Sequence, residues 1–87
     1  MNIQIDPHTL ERAEERGVSE NEIRETILTG SLFNAKKGRL GRVKVFSFDN
    51  VRAGKYYPQK RVEVVFVEEG AVIVTVTVYV FYGKWES

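Results

Sequence analysis

Residues 60–82 read KRVEVVFVEEGAVIVTVTVYVFY, and this stretch decides the sheet. Lys60 to Val67 is a strand, Glu68-Glu69-Gly70 a tight hairpin turn, and Ala71 to Tyr82 a second, long strand. Side chains alternate across a strand, so Val72, Val74, Val76, Val78 and Val80 form one uniform apolar face. Ile73, Thr75, Thr77, Tyr79 and Phe81 form a second, mixed face with hydroxyls. The all-valine face is expected to meet the rest of the core, and the hydroxyl face to be the wet one. Ala71 to Tyr82 contains no glycine, so no bulge is expected to interrupt it.

Upstream, Val43, Val45 and Ser47 alternate with Lys44, Phe46 and Phe48 as in a half-buried strand beginning near Arg42. Between the two strands, Asp49 to Gln59 reads as a loop holding Gly54, Pro58 and the pair Tyr56–Tyr57. Ser31 to Gly41 is basic and punctuated by glycine, with room for a short strand at Leu32–Ala35.

The first third follows a period of 3.6. Asp6 caps a helix whose first turn holds Pro7, and Gly17 stands where a left-handed residue closes it, which gives a helix over 7–16. Ser19 and Glu22 form a capping box, and Val18 and Ile23 a hydrophobic staple, so a second helix runs over 20–29 and stops at Gly30. Ile23, Ile27 and Leu28 give that helix its apolar stripe. The expected fold is α+β, with two N-terminal helices packed on a three- or four-stranded antiparallel sheet.

Eighty-seven residues make a single domain, 1–87, and the apolar fraction of 43% is ordinary for a folded one. Without cysteine there is no disulfide, thiolate nucleophile or cysteine-ligated metal, and a reducing cytoplasm is the compartment expected. One histidine excludes a multi-histidine metal site, so neither metal nor cofactor is expected. The longest near-apolar run, Ala71 to Tyr82, has 12 residues against the ~20 needed to span a bilayer. Residues 1–8 carry no signal-peptide pattern, so a soluble protein is expected.

The net charge of +1 hides an asymmetry. Residues 1–29 hold three arginines against seven acids, residues 30–61 hold nine Lys/Arg against Asp49 alone, and residues 62–87 hold Lys84 against four glutamates. The middle third is therefore basic. Lys36, Lys37, Arg39, Arg42 and Lys44, then Arg52, Lys55, Tyr56, Tyr57, Lys60 and Arg61, interleave cations with aromatics. Cations grip phosphates and tyrosines stack on unpaired bases, which suits single-stranded or looped RNA. The same lysines also fit a solubilising strand edge.

His8, Arg12 and Arg16 recur every four residues and line one stripe of the first helix. The stripe reads either as a solvated face whose arginines pair elsewhere or as a phosphate-facing row with one titratable imidazole. A histidine titrates near neutral pH and suits general acid–base work, and a lone one after Asp-Pro equally suits a cap.

The run from His8 through Arg12, Arg16-Gly17 and Val18-Ser19, followed by a second helix, resembles the opening of the domain of unknown function 4258 family. Val62 to Val67, a turn, and Ile73 to Tyr79 with its Thr77-x-Tyr79 resemble that family's closing hairpin. The resemblance implies grouping with small toxin-like ribonucleases of the barnase, colicin and RelE type. It maps His8, Arg12, Arg16, Thr77 and Tyr79 onto the recurring polar positions as candidate catalytic residues.

Three functions follow as expectations. One is a metal-independent, toxin-type endoribonuclease that uses His8 or another base on the 2′-hydroxyl and Arg12, Arg16 and nearby lysines on the phosphoryl charge. The second is a non-catalytic nucleic-acid-binding module built on the basic middle third. The third is a protein-interaction module, a homodimer or a complex with an antitoxin-like partner, joined through the open end of the last strand with Phe81, Tyr82 and Trp85 in the contact.

Overall fold

The computed structural model describes residues 2–85. Its elements run β1 (Asn2–Gln4), α1 (Pro7–Arg16), α2 (Glu20–Thr29), β2 (Ser31–Asn34), a 3-10 turn (Lys36–Gly38), β3 (Leu40–Arg52), β4 (Lys55–Glu69) and β5 (Val72–Gly83). The architecture is α+β, and the sheet has five strands in the order β1-β5-β4-β3-β2. That corrects the expectation of three or four antiparallel strands: β1 is an extra strand and pairs in parallel with β5, Asn2 to Gln4 lying beside Val72 to Val74.

Both helices begin and end on the residues their punctuation implies. The Asp6 carboxylate accepts from the His8 backbone N–H at 2.9 Å, and Gly17 takes φ +82°, a conformation that would strain any side chain. Ser19 and Glu22 exchange both capping-box hydrogen bonds, at 3.0 and 3.1 Å. Val18 and Ile23 are buried beneath them.

The core joins Ala13, Val18, Ile23 and Ile27 of the helical segment to Val62, Val64, Phe66, Ile73 and Val78 of the sheet. α1 lies along β5, and α2 lies over β3 and β4. Thr9 and Ala13 form the buried seam of α1, and Thr26 joins Ile23 and Ile27 in α2. Leu28, expected on the apolar stripe, is 58% exposed because Thr26 takes the inward position and its hydroxyl is satisfied by the Glu22 carbonyl at 2.8 Å.

The uniform valine face of the last strand does not exist as such. Val65 pairs with Thr77 and Phe66 with Thr75, so Val76 is an extra residue, a bulge inserted without glycine. The bulge reverses the parity of β5. Val78 is inward on one side of it, and Thr75 and Ile73 on the other. Thr75 is thus buried rather than wet: its hydroxyl donates to Thr9 Oγ1 at 3.0 Å and accepts from the Asp6 backbone N–H at 2.9 Å.

The expected loop over 49–59 is instead most of a hairpin. β3 and β4 continue to Arg52 and Lys55 and meet at Ala53–Gly54, where both φ angles are positive, 53° and 80°. The cue to a loop was real but local. The register shifts between Ser47 and Asn50, where Asp49 takes φ 47° and Pro58, which has no N–H to donate, lies on the facing strand.

Candidate functional site

Three rows of side chains cross the sheet on the side away from the core. The pairing aligns Gly41, Val65 and Thr77 in one row, Val43, Glu63 and Tyr79 in the next, and Val45, Arg61 and Phe81 in the third. Phe33 of β2 extends the first row, opposite Gly41. A Cβ at residue 41 would lie 2.3 Å from the Phe33 ring, so only glycine lets that ring lie on the sheet. These residues alternate with Val62, Val64 and Val78, which are buried in the core with the helices.

A concavity of about 530 Å³ opens on this face. Glu63, Thr77, Tyr79 and Phe81 form its floor, and Lys36, Lys37 and Arg39, carried on and after the 3-10 turn, form its rim. Tyr79 and Phe81 are 44% and 48% exposed. Among the described residues the side chains of Lys36, Lys37 and Arg39 have no ionic partner. Unpaired cations beside exposed aromatic rings offer one surface to phosphate and another to a flat, stackable group.

The remaining middle-third cations are used by the fold. Lys60 is buried, and its ammonium donates to Glu22 Oε1 and the Gly17 carbonyl, both at 2.8 Å, tying the corner between the helices to β4. Arg42 donates to the Gly30 carbonyl at 2.9 Å, Lys44 bridges Thr29 and Glu25, and Arg52 donates to the Glu15 carbonyl at 3.0 Å while stacking 4.9 Å from the Tyr82 ring centroid. Lys55 lies over Tyr57, and the Tyr56 hydroxyl donates to Asp49, a hydrogen bond that pushes the phenol pKa up. Arg61 lies 3.4 Å from Glu63 and lines a neighbouring concavity with Val43, Val45 and Trp85.

The helical stripe splits. Arg16 reaches around the outer edge of β5, donating to the Val78 carbonyl at 2.5 Å and lying 5.5 Å from the centroid of the Tyr79 ring, so it joins Tyr79 at the border of the concavity. Arg12 pairs with Glu15 on the helix surface at 3.1 Å. His8 is exposed, and neither it nor Arg12 lines the concavity. Of the five catalytic candidates the structure therefore brings together Arg16, Thr77 and Tyr79. Sequence reasoning missed Glu63 and Phe33. The signal for Glu63 was present, since it is the lone acid among the valines of residues 62–67.

The C-terminal aromatics are not a free cluster. Tyr82 meets Phe48 edge to face at 5.0 Å and its hydroxyl donates to the Arg16 carbonyl at 2.5 Å; burial pushes its pKa up. Trp85 folds back on Gly83, with its backbone N–H held by Gln59 Oε1 at 2.7 Å. Glu86, counted with this tail, lies outside the described residues.

No group of three or more His, Asp or Glu side chains among the described residues forms a metal-binding cluster. No helix among them is long and apolar enough to cross a membrane. Residues 5–80 match the model of a family described as Domain of unknown function (DUF4258). No curated protein and no solved structure matches the chain.

Proposed function

The chain belongs to the DUF4258 family, and from its open sheet face we propose that it binds single-stranded RNA there and acts as a small, metal-independent ribonuclease of toxin type. One observation carries the reading: the unpaired Lys36, Lys37 and Arg39 rim a concavity floored by exposed Tyr79 and Phe81. The rim holds the phosphates, and the rings stack the bases.

The cleaving half of the reading uses Arg39, Thr77 and Tyr79, because the Arg16 guanidinium is spent on the Val78 carbonyl. The 2′-hydroxyl gives its proton to water and its oxygen attacks the adjacent phosphorus; the bond to the 5′-oxygen breaks, that oxygen takes a proton from solvent, and a 2′,3′-cyclic phosphate and a 5′-hydroxyl end remain. Arg39 and the neighbouring lysines oppose the charge that builds on the phosphoryl oxygens, and the Tyr79 and Thr77 hydroxyls supply hydrogen bonds to them. His8 stands apart from this arrangement, so it has no part in the step.

The test is a titration of labelled single-stranded RNA followed by end-group analysis in excess chelator. Binding with cyclic-phosphate ends supports both halves. Binding without cleavage leaves a non-catalytic RNA-binding module. Absence of binding rejects the reading.

A second reading, self-association or capture of an antitoxin-like strand, is favoured by a different feature. β2 covers only Leu40 to Val43 of β3, which leaves Lys44 to Arg52 unpaired on its outer side among the described residues. The outer edge of β5, the expected contact, is occupied by β1 up to Val74 and by Arg16 at Val78.

A further inference from the structure

We propose that Glu63 and Arg61 read the edge of a guanine base, so that the preferred ligand of the open face is guanine-containing single-stranded RNA. The inference rests on the RNA-binding reading above and adds a base preference to it.

Glu63 is misplaced for a surface that only holds phosphate. It lies in the middle row of the face, between Val43 and Tyr79, and it is the one acid among the residues lining the concavity. A carboxylate there repels a phosphodiester and weakens a purely electrostatic grip. Its side chain is 21% exposed, so it is largely removed from water and needs hydrogen-bond donors. The nearest cation, Arg61, is two residues along the same strand at 3.4 Å, longer than the ~2.7–2.9 Å of a strong charged hydrogen bond. The carboxylate therefore has capacity left for donors from a ligand.

The pair offers two carboxylate acceptors followed by guanidinium donors. The Watson–Crick edge of guanine is the complement: two adjacent donors, N1–H and the N2 amino group, followed by the O6 acceptor. Adenine and cytosine each present one amino donor on that edge, and uracil one imide N–H, so none of them fills both carboxylate oxygens. Tyr79 pairs with Glu63 and Phe81 with Arg61 across β4 and β5, which places an exposed ring beside each member of the reading pair. A base stacked on either ring turns its edge toward them, with the Lys36–Arg39 rim left for the backbone.

The experiment measures fluorescence anisotropy with short oligouridine RNAs that carry G, A, C, U or inosine at one central position. Wild-type protein is expected to bind the G-containing RNA about tenfold more tightly than the A-containing one, and inosine, which lacks the N2 amino group, to fall between them. Glu63→Gln should bring all five within about twofold and raise the affinity for oligouridine, since a charge that repels phosphate is gone, and Arg61→Gln should lose part of the preference by releasing O6. The thermal midpoints of both variants report whether the fold is intact, and Arg61→Gln carries the test if Glu63→Gln unfolds. Equal binding of the five RNAs by the wild type, or a guanine preference that survives Glu63→Gln, overturns the proposal and leaves RNA binding standing. Failure of the wild type to bind any of them overturns the RNA-binding reading, and the guanine site with it.

Discussion

The guanidinium of Arg16 donates to the carbonyl oxygen of Val78 at 2.5 Å, and so a side chain of α1 closes the exposed edge of β5. The Tyr82 hydroxyl returns a hydrogen bond to the Arg16 carbonyl, which locks the end of the helix to the same strand. Arg16→Ala is expected to cost about 1.5–3 kcal/mol, the range for a hydrogen bond with one charged partner. Arg12→Ala loses only an exposed pair with Glu15 and should cost under about 1 kcal/mol. Urea unfolding of the two variants checks this, and equal midpoints would show that the contact to Val78 does not hold the edge.

The buried end of the basic region sets a pH response. Burial by itself pushes the Glu22 carboxyl up, but the hydrogen bond from Lys60, those from Ser19 and the charge of Lys60 outweigh it and hold the carboxyl below its ordinary 4.5. A carboxyl lowered on folding contributes stability that is present above its unfolded value and is lost as the pH falls through the folded one. Stability should therefore decline as the pH drops below about 4.5, and Glu22→Gln should flatten that decline. An unchanged acid limb in the variant would mean that other carboxylates dominate it. Lys60→Ala should cost about 3 kcal/mol at neutral pH, the lower end of the range for a broken buried pair because Glu22 stays partly in water.

If the open face binds RNA as proposed, the salt dependence of that binding should separate rim cations from structural ones. Replacing Lys36, Lys37 and Arg39 together by glutamine should reduce the slope of log affinity against log salt by about 2, at roughly 0.7 per phosphate contact. Arg42→Gln should leave the slope unchanged while lowering stability, because its guanidinium is spent on the Gly30 carbonyl. Equal slopes for the rim variant and the wild type would move phosphate binding away from the 3-10 turn.

These contrasts follow how the information is distributed along the chain. Helix limits were legible because caps are local: Asp6-Pro7, Gly17, Ser19 with Glu22 and Gly30 each act within a few residues. The three long strands were legible in kind from their alternation. β1 was not, because three residues are too few to show a period and their pairing with Val72 to Val74 lies some seventy positions away. The bulge at Val76 was equally silent, since valine before and after it reads the same whichever way the strand faces. For the candidate site, charge pattern pointed to the middle third of the chain, yet only tertiary contacts show that Lys60 is consumed by Glu22 while Lys36 and Lys37 are not. Thr77 and Thr75 look alike in sequence, and the bulge alone sends them to opposite faces.

The placement of open backbone predicts where a second copy would add a strand. On its outer side β5 is paired by β1 from Val72 to Val74 and contacted by Arg16 at Val78, and Tyr82 is engaged inside the chain with Phe48, Arg52 and the Arg16 carbonyl. Tyr82→Ala should therefore lower stability by about 2 kcal/mol, the loss of a half-buried ring and its hydrogen bond, without changing the molar mass in solution. β3 is unpaired outside from Lys44 to Arg52, with Val45 and Val51 38% and 59% exposed. A second copy laid against it would extend the sheet and continue the open face that carries Glu63 and Phe81. Light scattering of wild type, Val45→Lys and Tyr82→Ala decides the matter. A dimer that Val45→Lys converts to a monomer supports pairing at β3. A dimer dissociated by Tyr82→Ala at unchanged stability would return the interface to β5, and a monomeric wild type would end the self-association reading.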